Sequence, residues 1–393
     1  MADALDALRL TPAQLAELRD TLAARIREGL TEDEREIRAL PAHLPPPPAG
    51  LAGEALVVDT GGTNMRAAVV ALAADGGAKV VKGPVQARLP MREEGGADID
   101  ADGFFALQAD LAARLDSGAG LPLGYCFSYP SAVLPSRDAR LIRWTKGIDV
   151  PGVEGALVGD GLARALGARG LAPCRVAVVN DTVASLLAGA QQAPGRPRDM
   201  VGLIAGTGTN MAGFYDARQA PKLAAFPGAG TMAVNLESGN FDPPHLTALD
   251  RAVDEASNNP GQQRFEKAVS GFYLPFLLAA ALPEAGVDPE AGTGPLVGWR
   301  DAGEGRRGEV AGLLLDRSAD MIAAGLAAAI TTYPADALEV GILAEGSLFW
   351  RATGYSARVQ ATLQSLLPAG RRCSVLRIDE ANLVGAAAAA LTP

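Results

Sequence analysis

Histidine is nearly missing from this chain of 393 residues, which has only His43 and His245. His43 lies beside a proline run and His245 follows Pro243-Pro244, so both read as exposed loop residues and histidine-based catalysis is not expected. Cysteine is almost as scarce. Cys126, Cys174 and Cys373 match no zinc or redox spacing, and their odd number argues against a disulfide framework. They read as reduced, mostly buried thiols of a cytoplasmic protein. No apolar run reaches membrane-spanning length, because the stretch 272–282 is short and contains Pro275. The first residues lack a basic stretch followed by an apolar one, so no signal peptide is expected. Positive charge is in deficit, with 35 Lys and Arg against 45 Asp and Glu and a net charge of −10. That argues against nucleic acid or an anionic membrane as the main partner. It also means that any phosphate would have to be held by backbone N–H groups, a few cations and a metal ion. No Gly-Lys-Ser/Thr follows a glycine loop, which excludes a Walker loop.

What the chain does have is an ordinary globular composition, 48% hydrophobic and 20% charged, in a length that suits two domains. Thr11-Pro12-Ala13-Gln14 is a capping box with proline at the first helical position, and Leu15, Leu18, Leu22 and Ile26 continue at helical spacing. Gly29 fits a stop, and Thr31 with Glu34 repeats the capping pattern for a short second helix. Pro45 to Pro48 form a stiff extended spacer. Residues 55–58 read as a buried strand, 59–64 as a turn and 65–72 as a second strand, together a β-hairpin. The pattern returns at 201–204, 206–210 and 211–215, and Gly-Thr-Asn-Met occurs in both copies, at 62–65 and 208–211. Two such hairpins suggest two related αβ halves. Between them, 176–179 reads as a strand ending at Asn180-Asp181-Thr182, followed by a helix over 183–190. Residues 316–330 and 356–367 read as helices and 338–343 as a strand.

Several of these residues could carry chemistry. A turn of Gly and Thr exposes backbone N–H groups and lets a phosphate approach without a Cβ in the way, although a plain hairpin turn would look the same. Polar groups at the carboxyl end of a strand, before a helix, lie where open α/β sheets place ligands. There Asp181 could accept a proton from an attacking hydroxyl, or it could simply cap the helix. Lys146, in Trp144-Thr145-Lys146-Gly147, could neutralise charge on a transferring phosphoryl group, or be a surface lysine. Asn180, Asn210, Asn235, Glu237 and Glu266 are the residue types that recognise sugar hydroxyls, and each alone could equally be a loop or helix-surface residue.

Taken in order, these segments resemble the hexokinase family. Residues 56–66, with Asp-Thr-Gly-Gly-Thr-Asn-Met-Arg, resemble its first phosphate motif. Phe127-Ser128-Tyr129-Pro130 with 141–147 resembles its sugar signature, and 179–184 its catalytic segment. Residues 206–210 resemble its second phosphate motif, while 234–237 and 259–267 resemble its two glutamate-bearing sugar contacts. Residues 340–347 resemble its adenosine motif. The resemblance implies an α/β actin-like ATPase (ribonuclease H-like) fold with two lobes around a central cleft. The small lobe would be 51–180, with 379–393 returning to it, and the large lobe 1–50 and 181–378. It implies phosphorylation of the 6-hydroxyl of glucose, and of mannose or fructose if the pocket admits them, with ATP and Mg²⁺. Asp181 would be the general base, and Lys146 would stabilise the phosphoryl group. Ser128, Thr145, Lys146, Asn180, Asp181, Asn210, Glu237 and Glu266 would hold the sugar. Asp59, Gly61, Gly62, Thr63, Asn64 and Arg66 would line the phosphate region, with Thr207 and Gly208 opposite and Ser347 near the adenosine. Mg²⁺ would arrive on ATP, near Asp59, with no direct protein ligand. A monomer or homodimer, without nucleic-acid or membrane partners, is implied.

Three segments depart from the family pattern. Glu237 is followed by Ser238-Gly239 where Trp-Gly is usual, Glu345-Gly346-Ser347 stands for Asp-Gly-Ser or Asp-Gly-Thr, and 381–387 keep only the end of the usual glycine-rich C-terminal motif. The phosphoryl donor therefore stays open between ATP, another nucleotide and polyphosphate. A repressor-related sugar kinase would carry a clustered zinc motif that three scattered cysteines cannot supply. A binder that has lost catalysis would have no need of Asp181 and Lys146.

Overall fold

The structure is a computed structural model, and it describes residues 5–62, 64–89, 99–144, 148–191, 199–226 and 230–393. The chain forms two compact units. One comprises residues 40–202, 226–235 and 377–393, and the other comprises 1–39, 203–225 and 236–376. The helix Asp181–Gln191, assigned from the sequence to the large lobe, thus stands in the same unit as the strands before it, and 377–393 belong to that unit as well.

The unit containing residues 40–202 is built on a five-stranded sheet in the order Ala78–Arg88, Asn64–Leu72, Gly53–Thr60, Leu123–Phe127, Val176–Val179. The first three strands are antiparallel, and the next two run parallel to Gly53–Thr60 and to each other. The first hairpin is as expected. Alternation along the strands sends Leu56, Val58, Leu123, Tyr125 and Phe127 to one face, where they meet Phe104, Phe105 and Leu162 from the helices Ala101–Ala113 and Val158–Gly167. Gly124 points to the opposite face, against Ala386 of the helix Ala381–Leu391. That helix in turn lies along Asp181–Gln191. A Cβ on Gly385 would come within 1.8 Å of the Ala184 carbonyl oxygen, so the two helices touch backbone to backbone. Register aligns Asp59 with Cys126 and Cys126 with Val179, so the parallel strands end together and deliver Asn180 and Asp181 beside Asp59.

In the other unit, the sheet strands Thr209–Tyr215, Asp199–Ala205, Glu339–Glu345 and Arg372–Leu376 follow in that order, the last two parallel; the unit boundary falls inside Asp199–Ala205. The long helix Gly305–Thr331 packs on Pro12–Thr31 and Tyr355–Leu366. Its Gly325 leaves room for Met211, Phe265 and Leu22, which ties the helices to the second hairpin.

The Thr11 capping box forms as read. Gly29, however, does not stop the helix, which runs to Thr31. It is small because the Ile37 carbonyl approaches its Cα closely. The second short helix is absent. Thr31 donates its hydroxyl back to the Arg27 carbonyl instead of capping, and Glu34 takes a positive φ of 59°. Neither histidine is a fully exposed loop residue. His43 is half-buried with its ring edge-on to Phe226, and burial lowers its pKa. His245 is half-buried and hydrogen-bonded to Gln14 and Glu17. All three cysteines are free, but only Cys126 is buried, Cys373 being intermediate and Cys174 exposed.

Candidate active site

Each unit carries one glycine hairpin with polar groups gathered around it. In the first, Gly61 donates its N–H to the Asn64 carbonyl at 3.0 Å, which closes the turn after Asp59. The Tyr129 hydroxyl donates to the Gly61 carbonyl at 2.7 Å and holds the turn from the side. Tyr129 is packed among Phe127 and Trp144, and Trp144 is fixed by its indole N–H to the Val150 carbonyl at 3.1 Å. The chain is therefore anchored immediately before 145–147. Thr145 and Lys146 themselves lie outside the described residues, as does Thr63.

Asp59 is buried, and its Oδ2 receives Arg66 Nη2 at 2.6 Å and Nε at 3.1 Å. Burial raises its pKa, the Arg66 guanidinium opposes that rise, and the nearby Asp181 charge adds to it. Arg66 also reaches Glu380 Oε2 at 2.5 Å, so one guanidinium spans two carboxylates. Cys126, fully buried beside Asp59, is pushed well above the ordinary thiol range by burial and by the Asp59 and Asp181 charges, which leaves it a neutral, unreactive thiol.

Asp181 opens its helix. Its Oδ1 accepts the Thr182 N–H at 2.7 Å and the Thr182 hydroxyl at 3.1 Å, while no hydrogen bond among the described residues reaches Oδ2. Asn180 performs the capping that Asp181 could have done, since its Oδ1 accepts the Thr182 N–H at 2.9 Å. The Asn180 NH₂ has no acceptor among the described residues. Ser128 is buried, and its N–H donates to the Thr60 carbonyl at 3.1 Å. Asp59, Gly61, Arg66, Ser128, Asn180 and Asp181 are thus brought together at one end of the sheet's strands.

In the other unit, Glu266 Oε2 accepts the Thr209 N–H at 3.0 Å, and a Cβ on Gly208 would sit 2.8 Å from that oxygen. Asn210 Oδ1 accepts the N–H groups of Met211 at 2.8 Å and Ser238 at 3.1 Å, which ties the hairpin to the Glu237 segment. Glu237 has φ 56° and Gln263, which precedes the Glu266 helix, has φ 52°. Such left-handed non-glycine residues gather at sites where structure is held against its preference. Asn210, Glu237 and Glu266 are therefore a second cluster. Thr207 and Ser347 are both exposed. Gly346, with φ 120°, lies so close to Ala205 and Gly206 that an added Cβ would be 2.2 Å from the Ala205 carbonyl oxygen.

Sequence reasoning missed the supports. Glu380 and Tyr129 act from remote positions in the chain. Asp254 accepts from Gly261, Arg264 and Lys267, the last two flanking Glu266. The available signal was a lysine set between Phe265 and the apolar pair Ala268-Val269, since a lysine so placed must find a carboxylate.

Two family models described as hexokinase match residues 1–191 and residues 200–286 with 308–392. Hexokinase-1 of Saccharomyces cerevisiae is 38% identical over 276 residues, which is 66% of this chain and 56% of the yeast protein. Hexokinase-3 of Mus musculus is 34% identical over 283 residues, 70% of this chain and 30% of the mouse protein. The chain thus spans about half the length, or less, of these curated relatives. Among solved structures, a Schistosoma mansoni hexokinase in complex with glucose superposes with a TM-score of 0.84 at 26% identity, covering 100% of this chain and 98% of that one. The expected actin-like ATPase fold is the fold observed. The chain belongs to the hexokinase family.

Proposed function

We propose that this protein is an ATP-dependent hexose kinase that moves the terminal phosphoryl group onto the 6-hydroxyl of glucose or a close relative. The observation that carries the reading is Asp181: one carboxylate oxygen is pinned by Thr182 while the other is free among the described residues, at a strand end beside a glycine hairpin. A fixed carboxylate with an unused oxygen is what a base needs to take a hydroxyl proton as that hydroxyl attacks phosphorus. Asn180 offers its NH₂ to the sugar, with Ser128, Thr145, Asn210, Glu237 and Glu266 as further contacts. Lys146 neutralises charge on the moving phosphoryl group. Gly62, Thr63, Asn64, Thr207 and Gly208 supply N–H groups and hydroxyls to phosphate, Gly61 closes the turn through its N–H to Asn64, Arg66 stands beside them, and Ser347 lies toward the adenosine.

Mg²⁺ fits this donor set only as part of its nucleotide. Among the described residues there is no group of three or more side chains able to hold a metal. Asp59 is a hard oxygen donor beside which a magnesium ion carrying water and phosphate oxygens would fit, with no direct protein ligand. Its chemistry there is to offset negative charge on the transferred group. No helix among the described residues is long and apolar enough to cross a membrane; a cytoplasmic monomer or homodimer is part of the same proposal. The glucose in the Schistosoma relative supports glucose as the first substrate to try. The test is a coupled assay for sugar phosphate with Mg-ATP over glucose, mannose, fructose and glucosamine. Turnover on glucose is expected. No turnover on any hexose with ATP or polyphosphate would overturn the reading in favour of a binding protein.

A further inference from the structure

We infer that Asp254 is a positioning residue for Glu266, an inference that rests on the reading of Glu266 as a sugar contact. The helix bearing Glu266, Arg264–Val269, has six residues, too few to hold its own orientation in isolation. It must be aimed from outside. On one side the Thr209 N–H donates to Glu266 Oε2 at 3.0 Å. On the other, the two cations that flank Glu266 converge on one carboxylate. Lys267 Nζ donates to Asp254 Oδ1 at 2.5 Å, and Arg264 Nε donates to Oδ2 at 3.0 Å. The Gly261 N–H lies 3.1 Å from both oxygens. Asp254 therefore fixes the helix and the loop that enters it. Lys267 adds a bond to the Asn259 carbonyl at 2.8 Å in the same loop.

The hub is itself buried, with Asp254 5% and Lys267 3% exposed. It does not float. Asp254 sits on the helix Ala248–Ala256, and one turn earlier Asp250 makes a buried bidentate pair with Arg317 of the long helix, at 2.8 and 2.9 Å. One helix thus carries two buried carboxylates a turn apart, Asp250 tied to the core of the unit and Asp254 tied to the residues on either side of Glu266. Burial pushes the Asp254 carboxyl up, and its bonds to Lys267 and Arg264 outweigh that and hold it low, so the acceptor stays charged.

A cavity of about 710 Å³ borders Asp254, Arg264 and Lys267. Water can therefore reach the edge of the network, and a neutral isostere is accommodated without a collapsed core. Asp254→Asn keeps the shape but turns an NH₂ toward one of the two cations, so the helix loses one of its holds.

The experiment measures glucose binding by calorimetry, and KM for glucose and for Mg-ATP, in D254N, R264M, E266Q and the doubles D254N/E266Q and R264M/E266Q. D254N is expected to weaken glucose binding by about tenfold, with KM for Mg-ATP little changed. D254N should add nothing further in the E266Q background, because two residues acting through one contact are not additive. R264M, whose side chain is part-exposed, should shift glucose in the same direction by less, and decides the matter if D254N does not fold. Additive losses in the doubles, or equal losses for glucose and ATP, would mean that Asp254 only stabilises the unit and would overturn the inference. A weakened E266Q beside an unaffected D254N would overturn the inference alone. An unaffected E266Q would remove Glu266 as a sugar contact, and the inference with it.

Discussion

Replacing Asp181 by asparagine tests the proposed base with little structural disturbance. In D181N the amide oxygen can still accept the Thr182 N–H and hydroxyl that now lie 2.7 and 3.1 Å from the aspartate oxygen. Only the Oδ2 position changes, from an unshared acceptor to an NH₂ donor. The helix start should survive, because Asn180 already caps it. What is lost is the ability to take a proton. General base catalysis is worth about 10²–10⁴ in rate, or roughly 2.7–5.4 kcal/mol of barrier. D181N should therefore lose that factor in kcat in the coupled sugar-phosphate assay, while calorimetry still finds glucose binding and the melting temperature stays near the parent's. A kcat within about threefold of the parent would refute the assignment. A loss of glucose binding equal to the loss of kcat would make Asp181 a holder of the sugar instead.

Arg317→Met strands Asp250 in the interior and should cost about 3–5 kcal/mol in urea unfolding, against which a loss below about 1 kcal/mol would speak. Gly346→Ala meets both the positive φ and the Ala205 carbonyl, so a loss of about 2–5 kcal/mol, or a displaced second hairpin seen as a raised KM for Mg-ATP, is expected. Burial keeps His43 neutral in the fold below its free pKa. The unfolded chain then binds the proton first, so stability is full above about pH 6.5 and declines as pH falls from there through the lowered folded-state pKa. His43→Gln should flatten that part of a urea-midpoint profile, and an unchanged slope would assign the acid sensitivity elsewhere.

The hairpins and the Asn180-Asp181 strand end were legible because their chemistry is local: an apolar run, a glycine turn, a polar strand end. The capping box at Thr11 was legible for the same reason. The same pattern misled at Thr31, where the hydroxyl bonds back into the preceding turn instead of forward. Gly29 and Gly308 show why composition alone misplaces helix ends. Gly29 sits inside a helix where the Ile37 carbonyl passes, and Gly308 sits in the long helix against the Trp299 carbonyl; that helix starts at Gly305, eleven residues before the expected start at 316. Half-burial of His43 depends on Phe226, and the pairing of Arg66 with Glu380 joins residues from opposite ends of the chain. Neither leaves a mark in a short window of sequence. Tyr129, Arg264 and Lys267 lay inside motifs without their supporting role showing there, and Asp254 and Glu380 lay in none.

Gly385 against Ala184 has a bearing on how this protein could be varied. The helix that starts with Asp181 lies on the Ala381–Leu391 helix at a distance set by a missing methyl group. In a library of all single substitutions, position 385 should therefore read as intolerant as position 181, although it touches nothing that reacts. A map of activity alone would colour it as catalytic. Only a parallel map of folded abundance would separate the spacer from the base.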